Sequence, residues 1–284
     1  MDIIKFGIVT GCILLLSTVG FSMIWKSEKF LNIAHGQLIL VGAYIAYLFN
    51  VTLGLPFAVS AIGSVVVTAF IGLLIAKVFY YPVRHQGQLV LLFTSIGLAY
   101  VIYGTVQALA GTKVKAYNLA PTQALTIGGK SFFTPHEIAI IFIAITCALS
   151  LHIFLAKSKS GRGIRAMAEN IRLAQIRGIH FSRLYTFIWL IASGLAGLAG
   201  VLLAMNGSLH TDIGWIEILV VLSAAVLGGS GAIYGAMLAA LIIGLSMDFS
   251  TLIIPASYRP TVAFLIIILV LFIRPQGLSK GGST

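Results

Sequence analysis

Acidic side chains are scarce. The chain has seven Asp and Glu in 284 residues, and charged residues of both signs make up only 9%. A soluble domain carries about 25% charge, so this chain cannot cover a water-facing surface. So few carboxylates also make a pair for acid–base chemistry hard to assemble. The six histidines, at 35, 85, 136, 152, 180 and 210, show no H-x-x-x-H or H-E-x-x-H spacing, and no G-x-S-x-G elbow occurs. Cysteine is limited to Cys12 and Cys147, each inside an apolar run and reading as a small packing residue. No catalytic residue, metal site or cofactor is expected, and the chain does not read as an enzyme.

Apolar residues fill the gap, at 59%. A helix needs roughly 20 of them to cross the hydrocarbon core. Runs of about that length fall at 3–24, 31–49, 57–76, 89–110, 137–156 and 184–206. A glycine-broken region follows at 215–228 and 232–248, then a last run at 258–273. The expected fold is all-α: a single polytopic domain over 1–284, with about eight or nine transmembrane helices and glycine-broken or re-entrant segments. Residues 3–24 exceed a signal-peptide core of roughly 7–15 residues and lack an A-x-A site, so they read as a retained first helix.

The net charge of +11 is not a nucleic-acid signature, because the basic residues sit in short gaps between apolar runs. There they orient a membrane protein. Lys157, Lys159, Arg162, Arg165, Arg172, Arg177 and Arg183 make the 157–183 segment cytoplasmic. With nine crossings, Lys26, Lys29, Lys77, Arg84, Arg274 and Lys280 share that side. Only Lys5, Lys113, Lys115, Lys130 and Arg259 lie opposite. This predicts an external N-terminus, a cytoplasmic C-terminus and an external loop over about 111–136, with turns and a short hairpin. Within that loop, the stretch from Ala124 to Ser131 ends in Gly-Lys-Ser like a relaxed phosphate loop. The following Phe132, Phe133, Thr134 and Pro135 are a poor helix start, so a nucleotide site is not expected there.

Two places carry polar or glycine-rich sequence against the apolar background. The first is Asn32-Ile-Ala-His35-Gly36-Gln37, expected at the cytoplasmic threshold of the second span. Asn32 is placed to cap that helix, and an ordinary interfacial cap competes with a functional reading. The second is Gly228-Gly229-Ser230-Gly231, followed by Ala236, Ala240 and Gly244 at every fourth residue. Such a face permits close helix packing. Glu217 is the one acidic residue near the middle of this region and a candidate for lining a path. Segment 161–178 reads as a basic amphipathic helix: Ile164, Met167, Ala168, Ile171 and Ala174 recur at helical spacing. Glu169 can pair with Arg165 and Arg172, and Gly178 can end the helix. Such a helix either lies on anionic lipid or docks a soluble partner.

These residues resemble a known family. Asn32-Ile-Ala-His-Gly-Gln-Leu-Ile-Leu-Val-Gly-Ala-Tyr44 is similar to the first signature of permease subunits of branched-chain amino acid ABC importers. The stretch from Arg162 to Asn170, with Leu173, Ala174 and Gly178, resembles their cytoplasmic segment. Residues 193–200, 226–231 and 273–277 follow in the family's order, so the resemblance covers about 20–277. It implies that 164–178 is a coupling helix, with Arg165, Ala168, Glu169, Asn170, Ala174 and Gly178 meeting an ATPase. It also implies that Asn32, His35, Gly36, Gln37, Gly228, Gly229, Ser230 and Gly231 flank a translocation path, to which the scarcity of acidic residues adds Glu217 as a candidate. The implied partners are ATP-binding cassette subunits, a second permease (a paralogue or this chain itself) and an extracytoplasmic substrate-binding protein. The implied site is the plasma membrane of a prokaryote, and the implied mechanism is alternating access, with ATP hydrolysed on a separate subunit. The family commonly has an acidic residue after the His-Gly pair where this chain has Gln37, which leaves open branched-chain amino acids, amides or urea. The alternative class is a self-contained channel or secondary transporter for a small polar solute. It needs intramembrane coupling groups, and only Glu217 and Asp248 offer them.

Overall fold

The computed structural model describes residues 2–119, 122, 124, 126–127, 130–131, 133–169, 181–229, 231–273 and 277–278. The expected apolar runs are helical. They form α1 (Asp2–Glu28), α2 (His35–Tyr47), α3 (Phe57–Ile75), α5 (Gln88–Ala110), α6 (Pro135–Lys157), α8 (Phe181–Asn206), α9 (Ile213–Gly228), α10 (Ile233–Ser250) and α11 (Arg259–Ile273). A short α4 (Tyr81–Val83) and the basic α7 (Lys159–Glu169) lie between them. Seven helical stretches are long and apolar enough to cross a membrane. The two shorter ones are α9, at 16 residues, and α2, which a π-helical turn over Leu48–Thr52 prolongs.

Helix α1 is the axis of the bundle. From Val9 to Ile24 nearly every side chain is buried. Glycines bring α10 against it, antiparallel: a Cβ on Gly7 would stand 3.0 Å from Leu245 Cα, and one on Gly11 3.1 Å from Leu241 Cα. Such small-residue contacts let backbones approach where apolar lipid supplies no hydrophobic drive.

The two ends of the bundle can be told apart by their contacts. At one end Lys5 Nζ lies 3.8 Å from Glu137 Oε2, tying the start of α1 to the start of α6. Residues 111–119 of the long connection sit there too. Residues Lys115 and Leu209 bridge it to the α8–α9 linker, and the Asn118 N–H donates to Asn50 Oδ1 at 2.8 Å. This is the loop end. Tyr117 OH donates to the Ala43 carbonyl at 2.9 Å across buried space, and burial pushes its phenol pKa up. Tyr117→Phe removes that bond, at a cost of about 1 kcal/mol. It should lower the thermal midpoint and speed protease cleavage between residues 111 and 134. At the opposite, α7 end, Arg84 lies over the Phe181 ring, 4.5 Å from its centre.

Within the loop, Thr126–Ile127 pairs antiparallel with Lys130–Ser131, the expected hairpin. The Gly-Lys-Ser sequence thus ends in a strand. Helix α6 starts later, with Thr134 and Glu137 capping each other's backbone, so the amide cradle of a phosphate loop is missing at Ser131.

The second span departs from expectation. After α1, Lys29 takes a left-handed conformation (φ 60°) and the chain turns back into the bundle. Residues 30–34 are non-helical, and α2 begins only at His35, whose Nε2 lies 3.0 Å from the Ser17 carbonyl. Ser17 is eleven residues before the end of α1, about 16 Å along a helix axis. Asn32 to Gln37 therefore lie deep in the bundle and not at its threshold. Asn32 makes no helix cap; its Oδ1 accepts from Tyr80 OH at 2.9 Å. Backbone that leaves a helix inside a bilayer must find other partners. Ser95 Oγ supplies one, accepting from the Ile33 N–H at 3.2 Å while its own hydrogen goes to Leu92 O at 2.7 Å.

Both halves of the glycine-broken region are helices. Gly229 (φ 101°) ends α9 and Gly231 (φ 72°) turns the chain into α10. A Cβ on Gly231 would meet Lys26 Cα at 3.0 Å, so the break sits at the α7 end. After α11 the Leu278 N–H donates to the Leu227 carbonyl at 2.8 Å, at the same end.

Candidate translocation site

A cavity of about 390 Å³ opens among the loop-end linkers. Its rim is the Asn206–His210 connection together with Ala256, Ser257 and Pro260, and its walls come from α1, α8, α9, α10 and α11. The size falls within the roughly 300–1,000 Å³ usual for small-molecule sites. The walls are aliphatic, from Ile13, Leu203, Ile213, Ile216 and Met247. Two charged groups face the void, Glu217 from α9 and Arg259 from α11. Arg259 is held from behind: its Nη2 forms an ion pair with Asp248 Oδ1 and donates to Thr10 Oγ1 at 3.2 Å. Glu217 has no ion pair or hydrogen bond among the described residues.

The first polar cluster lies on the other face of α9. Helical periodicity turns Ile213, Ile216 and Glu217 toward the cavity and Gly214 and Ile218 toward α2. A Cβ on Gly36 would stand 2.6 Å from Ile218 Cβ and overlap the Gly214 carbonyl oxygen. A Cβ on Gly214 would lie 2.6 Å from Gln37 Oε1. The two helices thus touch backbone to backbone beside Gln37, and α9 is a partition one helix thick between cavity and cluster. On the inner side Gln37 is fully buried with both amide atoms unpartnered among the described residues. The same holds for His35 Nδ1 and Asn32 Nδ2. The Ser17 carbonyl can only accept, so His35 Nε2 carries the hydrogen of that bond.

The structure therefore brings Asn32, His35, Gly36 and Gln37 together at the start of α2 and sets Glu217 apart from them across α9. Gly228, Gly229 and Gly231 are far from both, at the α7 end, and Ser230 lies outside the described residues. Arg259 and Thr10 line the cavity and Asp248 pairs with Arg259; of these the sequence singles out only Asp248, as a possible coupling group. The signal available for them was the rarity of an acid and a base facing each other across the 248–259 turn.

Helix α7 follows α6 after a sharp corner. Ser158 Oγ accepts from the Gly161 N–H at 2.8 Å, starting the helix. Gly161 fits where a Cβ would lie 2.6 Å from Leu155 Cα. Ile164 is buried in the core, while Arg162 and Arg165 are exposed. The helix is thus seated on its own bundle by its apolar side and presents arginine outward. Ala168 and Glu169 belong to its last turn; Asn170, Ala174 and Gly178 lie outside the described residues. A separate apolar groove of about 540 Å³, between α3, α6 and α8, has only His136 as a polar lining residue and does not join the charged cavity.

The chain resembles known proteins along almost its whole length. The family model described as "Branched-chain amino acid transport system / permease component" matches residues 3–271. The high-affinity branched-chain amino acid transport system permease protein LivH of Escherichia coli is 29% identical over 285 residues, covering 96% of this chain and 92% of the relative. The corresponding protein BraD of Pseudomonas aeruginosa is 30% identical, covering 96% and 93%. A probable branched-chain amino acid transport permease protein LivH of Methanocaldococcus jannaschii is 25% identical, covering 98% and 91%. No solved structure matches the chain. A bundle of membrane-length helices and the family match over 3–271 agree, and the chain belongs to the permease components of branched-chain amino acid transport systems.

Proposed function

We propose that this chain is the membrane-spanning subunit of an ATP-driven importer of branched-chain or related hydrophobic amino acids, working by alternating access. The observation that carries the reading is the cavity at the loop end, closed toward the α7 end by the Gly36–Gly214 contact, in a chain whose relatives are named for branched-chain amino acid transport. In this reading the loop end is external and receives substrate from a binding protein. The α7 end is cytoplasmic, as its excess of Lys and Arg favours. The N-terminus is then outside, the C-terminus inside, and the membrane is the plasma membrane of a prokaryote. Helix α7 and the residues after it receive force from a separate ATPase subunit. Movement passed through α6 and α8 separates α9 from α2, exposing the Asn32–Gln37 cluster to the other side. A second permease subunit, a paralogue or another copy of this chain, completes the importer.

The test is purification from the native host in mild detergent. A soluble ATPase should come with the chain. Glu169→Lys should abolish transport and release the ATPase, and Gly178→Val should abolish transport, with both variants still inserted in the membrane. A chain that arrives without an ATPase in several mild detergents, or normal uptake by both variants, refutes the coupling role. Either result would move the weight to a self-contained transporter.

A further inference from the structure

The loop-end cavity presents opposite charges to one void without pairing them to each other. Glu217 makes no ion pair among the described residues. Arg259 uses Nη2 on Asp248 and Thr10, and its other guanidinium nitrogens have no protein partner there. Its Nε is buried, so of the five N–H donors of a guanidinium those on Nη1 remain for an anionic ligand group. Asp248 takes the ion pair of Arg259, which leaves Glu217 at the wall without an ion pair of its own among the described residues. The rest of the lining is polar at the rim and aliphatic at the walls, with no Phe, Tyr or Trp.

We propose that this cavity binds a free aliphatic α-amino acid as its zwitterion, the Glu217 carboxylate holding the α-ammonium and the Arg259 guanidinium the α-carboxylate. The inference rests on the importer reading and adds to it the groups that recognise the substrate. Ile13, Leu203, Ile213, Ile216 and Met247 receive the side chain. An amide or urea carries neither charge and can offer Glu217 only a neutral N–H donor, without the ion pair. Ion pairs in a restricted, partly dehydrated cavity exceed those in water, and charge-assisted hydrogen bonds fix the orientation of the ligand's charged end. Because Glu217 stands on the partition helix α9, ligand at its ammonium contact bears directly on the element that must leave α2 for passage.

The experiment uses the complete transporter in lipid nanodiscs, without binding protein, and follows equilibrium binding of tritiated leucine. Competitors are 4-methylpentanoate, which lacks the ammonium, and 3-methylbutylamine, which lacks the carboxylate. In the unaltered protein each should compete at least about tenfold more weakly than leucine. Glu217→Gln should weaken leucine about tenfold or more and erase its advantage over 4-methylpentanoate, and Glu217→Asp should keep that advantage. Retention of the advantage by Glu217→Asp separates recognition from damage to the fold. Leucine binding within twofold of the unaltered protein in Glu217→Gln overturns the assignment, as does equal competition by either analogue in the unaltered protein. ATP-dependent leucine uptake into proteoliposomes, supplied with binding protein, separates the two levels. If the unaltered complex accumulates leucine but Glu217→Gln binds it normally, only the assignment to Glu217 fails. If the unaltered complex accumulates no aliphatic amino acid, the importer reading fails and takes this inference with it.

Discussion

Gly200→Val should leave no native bundle to purify. Gly200 sits where α8 crosses α2, and a Cβ there would overlap the Ile39 carbonyl oxygen and lie 3.2 Å from Ala43 N. A turn earlier, a Cβ on Gly42 would meet the Gly197 carbonyl oxygen at 2.6 Å, and one on Gly197 would meet Thr68 Cβ at 2.8 Å. The atoms in the way at Gly200 are backbone, so no rotamer change relieves the clash. Overpacking typically costs about 1–3 kcal/mol, occasionally more. For alanine at position 200 the upper end of that range applies. The two further methyls of valine raise it toward the whole stability of a domain, roughly 5–15 kcal/mol. The control is Gly104→Ala in α5, where nothing lies within 4 Å of the new Cβ; it should be neutral or slightly stabilising. The readout is the yield of monodisperse protein and its thermal midpoint in mild detergent. A Gly200→Val protein melting with the unaltered one would refute the crossing.

Arg259→Met should cost about 3–5 kcal/mol, because it strands a carboxylate. Asp248 is buried (its side chain is 7% exposed) and its second oxygen already lacks a partner among the described residues. Without the guanidinium, both oxygens are unpaired beside α1. Asp248→Ala should cost less, since Arg259 borders the cavity, is 31% exposed and keeps its bond to Thr10. The double variant Asp248→Ala/Arg259→Met should be more stable than Arg259→Met alone, because it leaves no unpaired carboxylate. A double-mutant cycle on thermal or denaturant midpoints measures the coupling. Simple additivity in the double would show that the pair carries no coupling, and equal costs for the two single changes would refute the stranded carboxylate.

The spans were legible because the bilayer imposes a length on every apolar run, and 89–110 or 137–156 needs no tertiary knowledge. The hairpin near Lys130 and the helical character of 159–169 were legible in the same local way. The depth of His35 was not. Phe30, Leu31, Ile33 and Ala34 have the same hydropathy whether they form a helix or return into the bundle as irregular chain. What decides is the left-handed turn at Lys29 and the loan of Ser95 Oγ from α5, some sixty residues away in sequence. The assignment of Glu217 and Gln37 to one path came from the scarcity of polar residues in apolar sequence, which says nothing of the side of a helix they face. Three residues on one helix, Gly214, Glu217 and Ile218, face two different compartments, and only the neighbours reveal which. Arg259 reads as a stray external charge because Thr10, one of its two partners, belongs to the helix at the other end of the chain, although Asp248 stands only eleven residues away.

The burial of α1 has a consequence for biogenesis. This helix is made before the helices that cover it, yet it forms the interior of the finished bundle, with 89% of its most apolar window covered. The helix that covers much of it, α10, begins only at Ile233. While the intervening chain is synthesised, the glycine face at Gly7 and Gly11 and the hydroxyls of Ser17, Thr18 and Ser22 have no native cover. Those hydroxyls can bond back along their own helix, as Ser17 does with Leu14 O, which makes the wait in lipid tolerable. The bare glycine face gains nothing by waiting and is open to the wrong partner. A newborn α1 is thus an orphan core, and the cell's capacity to shelter it should govern how much of this protein reaches maturity.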